Sequence, residues 1–274
     1  MTTDYKNIIV EKDNGITWVM FNRPEKRNAM SPQLHHEMDD ALMRLAIDDE
    51  TKVLIITGKG DAFSAGQDLK LYFRETESDP VAKQRAQQAA NSWRWHRITS
   101  FPKPTIAMVN GWCFGGAFTP LICCDLAIAS EDAVFGLSEI NWGVIPGGVV
   151  SKAISTLMND RKAMYYVMTG EKFGGKMAEQ LGLVNEAVPA DKLRERTVEI
   201  ARVLLEKNPT VLRQARMAYK YVREMTWEES AEYLTAKADQ TTFVDPEKGR
   251  EKGLSQFLDT KTYRPGHGAY KREG

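Results

Sequence analysis

Asn110-Gly-Trp-Cys-Phe-Gly-Gly-Ala-Phe-Thr119, with Ser138-Glu-Ile-Asn-Trp-Gly143 after it, is the stretch from which the rest of the chain can be read. An apolar strand pattern, Thr105-Ile-Ala-Met-Val109, runs into small residues, and an apolar run then continues to about Cys124. A helix beginning at Gly115-Gly116 leaves its first N–H groups unpaired at the positive end of its dipole, where an anion is welcome. The second segment offers one acid, Glu139, among apolar neighbours, a setting that raises a carboxyl pKa towards neutrality. A backbone anion site opposite a lone acid is equipment for holding an enolate while one proton moves. Taken singly, the glycine pair is equally served by close helix–strand packing, and Glu139 by a cap or an ion pair.

Working outward, the pattern is strand and helix in alternation. Residues 7–12 and 16–22 read as strands about the turn Asp13-Asn14-Gly15, a hairpin signal. Ser31 caps a helix with Pro32 at its first position, and Leu34, Met38, Leu42 and Leu45 form its buried stripe. Val53-Leu-Ile-Ile-Thr57 is apolar throughout, as in a strand covered on both faces. Further strands are expected at Leu126–Ala129, Ala133–Phe135 and Val184–Val188, and helices at 151–157 and 161–169. Residues 76–92 read as a polar, mobile helical segment near the site. Alternation of this kind implies an α/β fold. After about Pro189 the strand signals fade, and 191–207, 210–224, 227–240 and 246–258 read as helices. The expected division is therefore 1–190, a core with the site, and 191–274, a helical region used for assembly.

Composition removes several function classes. The 274 residues carry 37 Lys+Arg and 37 Asp+Glu, so formal net charge is zero and neither nucleic acid nor an anionic membrane is an expected partner. The chain has three cysteines, Cys113, Cys123 and Cys124, which is no disulfide framework. They suit a reducing, cytoplasmic setting, and no His/Cys cluster points to a metal. His35, His36, His96 and His267 are scattered and read as surface or packing residues. Met1-Thr-Thr-Asp-Tyr-Lys has no apolar leader pattern, and no run of about 18 apolar residues would span a bilayer. Ser64-Ala-Gly-Gln-Asp68 follows a strand and lets a ligand approach the backbone, though an ordinary turn would read the same way. Neither glycine loop has dinucleotide or P-loop spacing.

Together these segments resemble the crotonase (enoyl-CoA hydratase/isomerase) family. The resemblance rests on Asn22-Arg-Pro-Glu-Lys-Arg-Asn-Ala29, Phe63-Ser-Ala-Gly-Gln-Asp-Leu69, Lys103-Pro-Thr-Ile-Ala107 with Asn110-Gly111, Gly115-Gly116, Cys124-Asp-Leu-Ala127 and Phe135-Gly136 with Glu139, Gly143 and Pro146-Gly147. It covers roughly residues 7–258. Within the family, Trp112-Cys-Phe-Gly-Gly116, Gly136-Leu-Ser-Glu-Ile-Asn-Trp-Gly143, Lys70-Leu-Tyr-Phe-Arg74 and Lys172-Phe-Gly-Gly175 look most like the hydroxycinnamoyl-CoA (feruloyl-CoA) hydratase-lyases.

The resemblance implies a spiral of ββα units with a helical C-terminal region that builds a homotrimer or a hexamer. It implies an oxyanion hole from the N–H groups of Gln67 and Gly116, each worth roughly 2.7–4 kcal/mol in a transition state. Lys26, Ala65, Gly66, Gln67, Asp68, Leu69 and Lys70 map to the coenzyme A site. Coenzyme A enters as part of the thioester substrate, and no separate cofactor is implied. Glu139 maps to the catalytic acid. Thr119 stands where ordinary hydratases place a second glutamate and where the lyases carry serine, which keeps a hydroxyl. Tyr72 and Tyr166 map to the phenol pocket, with Gly116, Ala117, Phe118, Thr119, Pro120 and Trp142 along the acyl group. A further tyrosine of that group falls on Thr235. Tyr233 lies two residues before it, about 200° round the helix, and is no simple substitute. The competing readings are a hydratase or isomerase of other acyl-CoA thioesters and a crotonase-fold protein that binds RNA without catalysis.

Overall fold

Asn14 and Gly15 adopt φ of 49° and 85°, the conformation a two-residue hairpin turn demands. They join β1 (Ile8–Asp13) to β2 (Ile16–Phe21) with Asp13 opposite Ile16. The computed structural model describes residues 4–266 and 268–272. Met1-Thr-Thr and His267, both read above, lie outside the described residues.

From that hairpin a six-stranded sheet grows in the order β1-β2-β3-β5-β7-β10. Its further members are β3 (Val53–Gly58), β5 (Thr105–Val109), β7 (Leu126–Ser130) and β10 (Glu186–Val188). β2, β3, β5, β7 and β10 run parallel. Every residue of β3 and β5 is buried, as expected of strands covered on both faces.

A second, four-stranded sheet has the order β4-β6-β8-β9. It is made of β4 (Ala62–Ser64), β6 (Trp112–Phe114), β8 (Val134–Gly136) and β9 (Lys172–Gly174). Of these, the sequence announces only β8. A strand of three residues shows too few alternations for period-two reading, so β4, β6 and β9 pass for loop. Each long strand β3, β5 and β7 is followed by a short one in the second sheet and then by helix, which is the ββα repeat.

The helices are α1 (Pro32–Ile47), α2 (Pro80–Asn91), α3 (Ile98–Ser100), α4 (Phe118–Cys123), α5 (Val150–Leu157), α6 (Asp160–Thr169), α7 (Gly175–Gln180), α8 (Leu193–Leu205), α9 (Pro209–Val222), α10 (Trp227–Val244) and α11 (Gly249–Leu258). Ser31 Oγ accepts from Leu34 N at 3.2 Å, and Leu34, Met38, Leu42 and Leu45 are buried as their spacing requires. The helix expected from Gly115 opens with a 3-10 turn, Gly115–Ala117, before α4. Within 76–92 the helix begins only at Pro80, where Asp79 accepts from Val81 N and Ala82 N. Residues 69–74 and 92–97 are π-helical, which sequence pattern does not signal.

Two compact units are present, 1–201 and 202–274. In the second, the Asn208 amide donates to both oxygens of Asp245 (3.0 and 2.9 Å) while its Oδ1 accepts from Val211 N and so caps α9. Asp245 also takes the N–H of Gly249, which starts α11. One buried pair therefore sets the starts of two helices. Thr226 and Glu229 form a capping box at the head of α10. Among the described residues no helix is long and apolar enough to cross a membrane, and no group of three or more His, Cys, Asp or Glu is placed to hold a metal ion.

Candidate active site

Strand order in the small sheet assembles the site. β4, β6 and β8 lie side by side and parallel, so their carboxyl ends point the same way. β4 leads into Ala65–Asp68, β6 into Gly115-Gly116, and β8 into Ser138–Trp142. Segments separated by many residues are thereby brought to neighbouring strand ends, about 4.8 Å apart.

The first loop is held from three directions. Ser64 Oγ donates to Asn28 O (2.8 Å) and accepts from Gly66 N (3.1 Å). Met30 N donates to Gly66 O at 2.7 Å, and Asp68 N donates to Met30 O at 3.0 Å. In extended chain, successive N–H groups alternate in direction, so the intervening Gln67 N–H faces away from Met30. Gly66 has φ of +89°, and a Cβ there would stand 2.7 Å from Phe114 O and 3.3 Å from Gly116 N. That closeness makes the Gln67 and Gly116 N–H groups neighbours. The Gly116 N–H belongs to the first turn of a helix and has no intrahelical acceptor.

Asp68 serves the protein from within. Its carboxylate accepts from Lys70 N (3.1 Å) and Leu71 N (2.9 Å), capping the 69–74 segment, and pairs with Arg23 Nη1 at 2.9 Å. Burial pushes its pKa up, but the Leu71 N–H, the Arg23 guanidinium and the Lys70 N–H outweigh that and hold it below the usual carboxylate range. Ala65, Leu69, Lys70 and Lys26 are exposed around this loop. Arg27 is exposed too, with its guanidinium over the Trp112 ring at 4.3 Å.

Glu139 lies on the 3-10 turn Ser138–Trp142. Its carboxylate stands over Gly115: a Cβ on that glycine would be 2.8 Å from Oε1. Oε2 is buried with no protein hydrogen-bond partner among the described residues. Burial raises the Glu139 pKa, opposed only in part by its own backbone N–H. A desolvated carboxyl whose pKa burial raises, beside the Gln67 and Gly116 N–H groups, can pass a proton to and from a carbon or oxygen held between them.

Thr119 is fully buried on α4, and its hydroxyl donates to Gly148 O at 3.2 Å. The donor is thus used to hold the 146–149 loop, and the oxygen lone pairs remain to accept from water. Phe118 and Pro120 are buried on the same helix and Ala117 on the 3-10 turn before it, and the Phe118 ring turns into the core against Phe135 and Phe173. Tyr72 is half-buried on the 69–74 segment, with its ring edge-on to His35 at 5.3 Å. Tyr166 on α6 lies against Phe173 at 4.4 Å. Trp142 is 66% exposed and outside the core. Tyr233 and Thr235 belong to α10 in the 202–274 unit. Tyr233 meets the edge of Tyr221 at 6.1 Å, and the exposed Thr235 turns its hydroxyl back to Ala231 O at 2.9 Å.

Three residues that the sequence did not place in the site belong here, among them His35, expected as a surface or packing residue. Trp93 Nε1 donates to His35 Nδ1 at 2.8 Å, and His35 Nε2 meets Gln67 Oε1 at 2.7 Å. Indole N–H can only donate, so Nδ1 accepts and the proton resides on Nε2, which donates to Gln67. His35 is fully buried, and burial, with the Arg94 charge beside it, lowers its pKa to about 3. The histidine is therefore neutral and ties the 65–68 loop to α1. A signal for it existed: His35 shares a helical face with Met38 and Leu42, at spacings of three and four. The third residue is Arg94, buried beneath Gly116.

The family profile described as enoyl-CoA hydratase/isomerase matches residues 11–264. The chain is 54% identical over 269 residues to hydroxycinnamoyl-CoA hydratase-lyase of Pseudomonas fluorescens, covering 98% of this chain and 98% of that protein. It is 29% identical over 255 residues to 2,3-dehydroadipyl-CoA hydratase of Escherichia coli K12, covering 93% of this chain and 96% of the relative. Among solved structures, enoyl-CoA hydratase from Bacillus anthracis superposes with a TM-score of 0.85 at 27% identity, covering 98% of this chain and 100% of that one. With its two sheets, its ββα repeats and the loops that end β4, β6 and β8, the chain belongs to the enoyl-CoA hydratase/isomerase, or crotonase, family.

Proposed function

We propose that this chain is a hydratase-lyase that converts 4-hydroxycinnamoyl-CoA thioesters and water to an aromatic aldehyde and acetyl-CoA. The observation that carries the reading is the Glu139 carboxyl, raised in pKa by burial and with Oε2 lacking a protein hydrogen-bond partner among the described residues, beside the Gln67 and Gly116 N–H groups. The near-full-length likeness to the P. fluorescens hydratase-lyase supports the acyl class.

Glu139 takes a proton from water as the oxygen adds to the β-carbon, and the electron pair moves into the thioester carbonyl. The resulting enolate oxygen is held by Gln67 N–H and Gly116 N–H, and Glu139 returns a proton to the α-carbon. In the second half Glu139 removes the β-hydroxyl proton, and the Cα–Cβ bond breaks. The aldehyde leaves, the electron pair again enters the oxyanion hole, and the α-carbon is protonated to give acetyl-CoA. One carboxyl and one oxyanion hole serve both halves, with Thr119 Oγ accepting from the water. The exposed Lys26, with Ala65, Gly66, Asp68, Leu69 and Lys70, forms the coenzyme A side, Lys26 meeting phosphate. Tyr72 and Tyr166 face the ring. The 202–274 helices assemble a trimer or a dimer of trimers.

The test is product analysis of the purified protein with feruloyl-CoA and, separately, crotonyl-CoA. Equal amounts of vanillin and acetyl-CoA are expected from the first. Hydration of crotonyl-CoA with no aldehyde from feruloyl-CoA would assign a hydratase of other thioesters instead.

A further inference from the structure

We propose that Arg94 is the cationic element of this site, a fixed positive charge beneath the two oxyanion donors that stabilises the enolate of a bound thioester. The inference rests on reading Gln67 and Gly116 as those donors and is independent of the aromatic acyl group. Arg94 is 2% exposed, on the π-helical segment 92–97, a rare geometry that clusters at functional sites. Its Nε donates to Ala90 O at 3.0 Å. Among the described residues no carboxylate pairs with the guanidinium.

The terminal nitrogens of the guanidinium lie against the site. A Cβ on Gly116 would stand 3.3 Å from Arg94 Nη1 and 3.3 Å from Gln67 Cγ. A Cβ on Gly148, whose carbonyl holds Thr119, would stand 2.9 Å from Nη2. The titratable groups facing it are Tyr72, whose pKa burial raises, Cys123, and His35, whose pKa burial lowers to about 3, and the acid of the same site is Glu139 over the neighbouring Gly115. Burial lowers the Arg94 pKa, yet a guanidinium does not deprotonate in a protein. An unpaired buried charge is costly unless an opposite charge meets it. The negative charge that develops in this site is the enolate.

The experiment uses acetoacetyl-CoA, a β-keto thioester whose enolate absorbs in the near ultraviolet, titrated against pH with excess full-length protein. Wild type is expected to ionise the bound thioester at lower pH than free thioester. Arg94→Met and Arg94→Gln should move that midpoint up by about one pH unit, a roughly tenfold loss of enolate affinity. Arg94→Lys should restore most of it, and binding of free coenzyme A should be unchanged throughout. A neutral variant that folds and keeps the wild-type midpoint overturns the proposal. So does failure of all three variants to fold, which would make the guanidinium structural. Wild type that leaves the midpoint unmoved overturns the oxyanion reading itself.

Discussion

The proposed mechanism turns on Glu139, and Gly115 lies directly against its carboxyl. Glu139→Gln is expected to cut turnover by about 10²–10⁴-fold while thioester binding persists. The stability effect has a definite sign. A carboxyl whose pKa is raised in the folded state contributes stability only below the ordinary Glu range, and that contribution is lost as pH rises through the raised value. The Gln variant should therefore match wild type in acid and melt about 1–2 °C higher near neutrality, a small gain because the group is only part-buried. Thermal melts at two pH values check this; a lower melting point for the variant at pH 7 would contradict the desolvated carboxyl. Gly115→Ala places a methyl 2.8 Å from Glu139 Oε1 at a φ of +48°. It should cost about 1–2 kcal/mol of stability and lower turnover by about 10²-fold or more, because the acid must move. Steady-state kinetics and urea melts of that variant give both numbers.

At the scale of elements, the connection between α1 and the 65–68 loop carries a pH signature. His35 is neutral in the fold at any pH above about 3, whereas in the unfolded chain it protonates near 6.5. Stability from this group is full above 6.5 and falls as pH drops from 6.5 towards 3, by up to about 1.4 kcal/mol per pH unit. His35→Asn should flatten that slope and, by releasing Gln67, reduce kcat more than KM. Denaturant melts at pH 7, 6 and 5 give the slope; identical slopes for variant and wild type would remove His35 from the account. The stripe on α1 was legible because Leu34, Met38, Leu42 and Leu45 repeat over about three turns. The π-helical segments carrying Tyr72 and Arg94 were not, since a single widened turn leaves no periodic trace.

For the whole molecule, the helices of 202–274 present large apolar side chains to solvent, with Trp227 89% and Phe243 91% exposed. Side chains of that size left open on one chain mark an interaction surface. Trp227→Glu with Phe243→Glu should convert the proposed trimer or hexamer to smaller species while the 1–201 unit keeps its fold. Light scattering and circular dichroism follow both; wild type running at the protomer mass would refute assembly through these helices.

By itself the sequence determined the alternation of strands and helices, the long buried strands, the caps of α1 and the roles open to Gly116 and Glu139. These depend on local period, turn chemistry and residue type, which neighbours in the chain decide. Only the tertiary structure decided that β4, β6 and β8 would lie side by side, and with them the meeting of Gln67, Gly116 and Glu139. It also decided that Thr119 would spend its proton on Gly148 O, and that Arg94 and His35 would be buried under the site. Such contacts join residues far apart in sequence, and a charge or an imidazole carries no local mark of whether the fold will give it a partner.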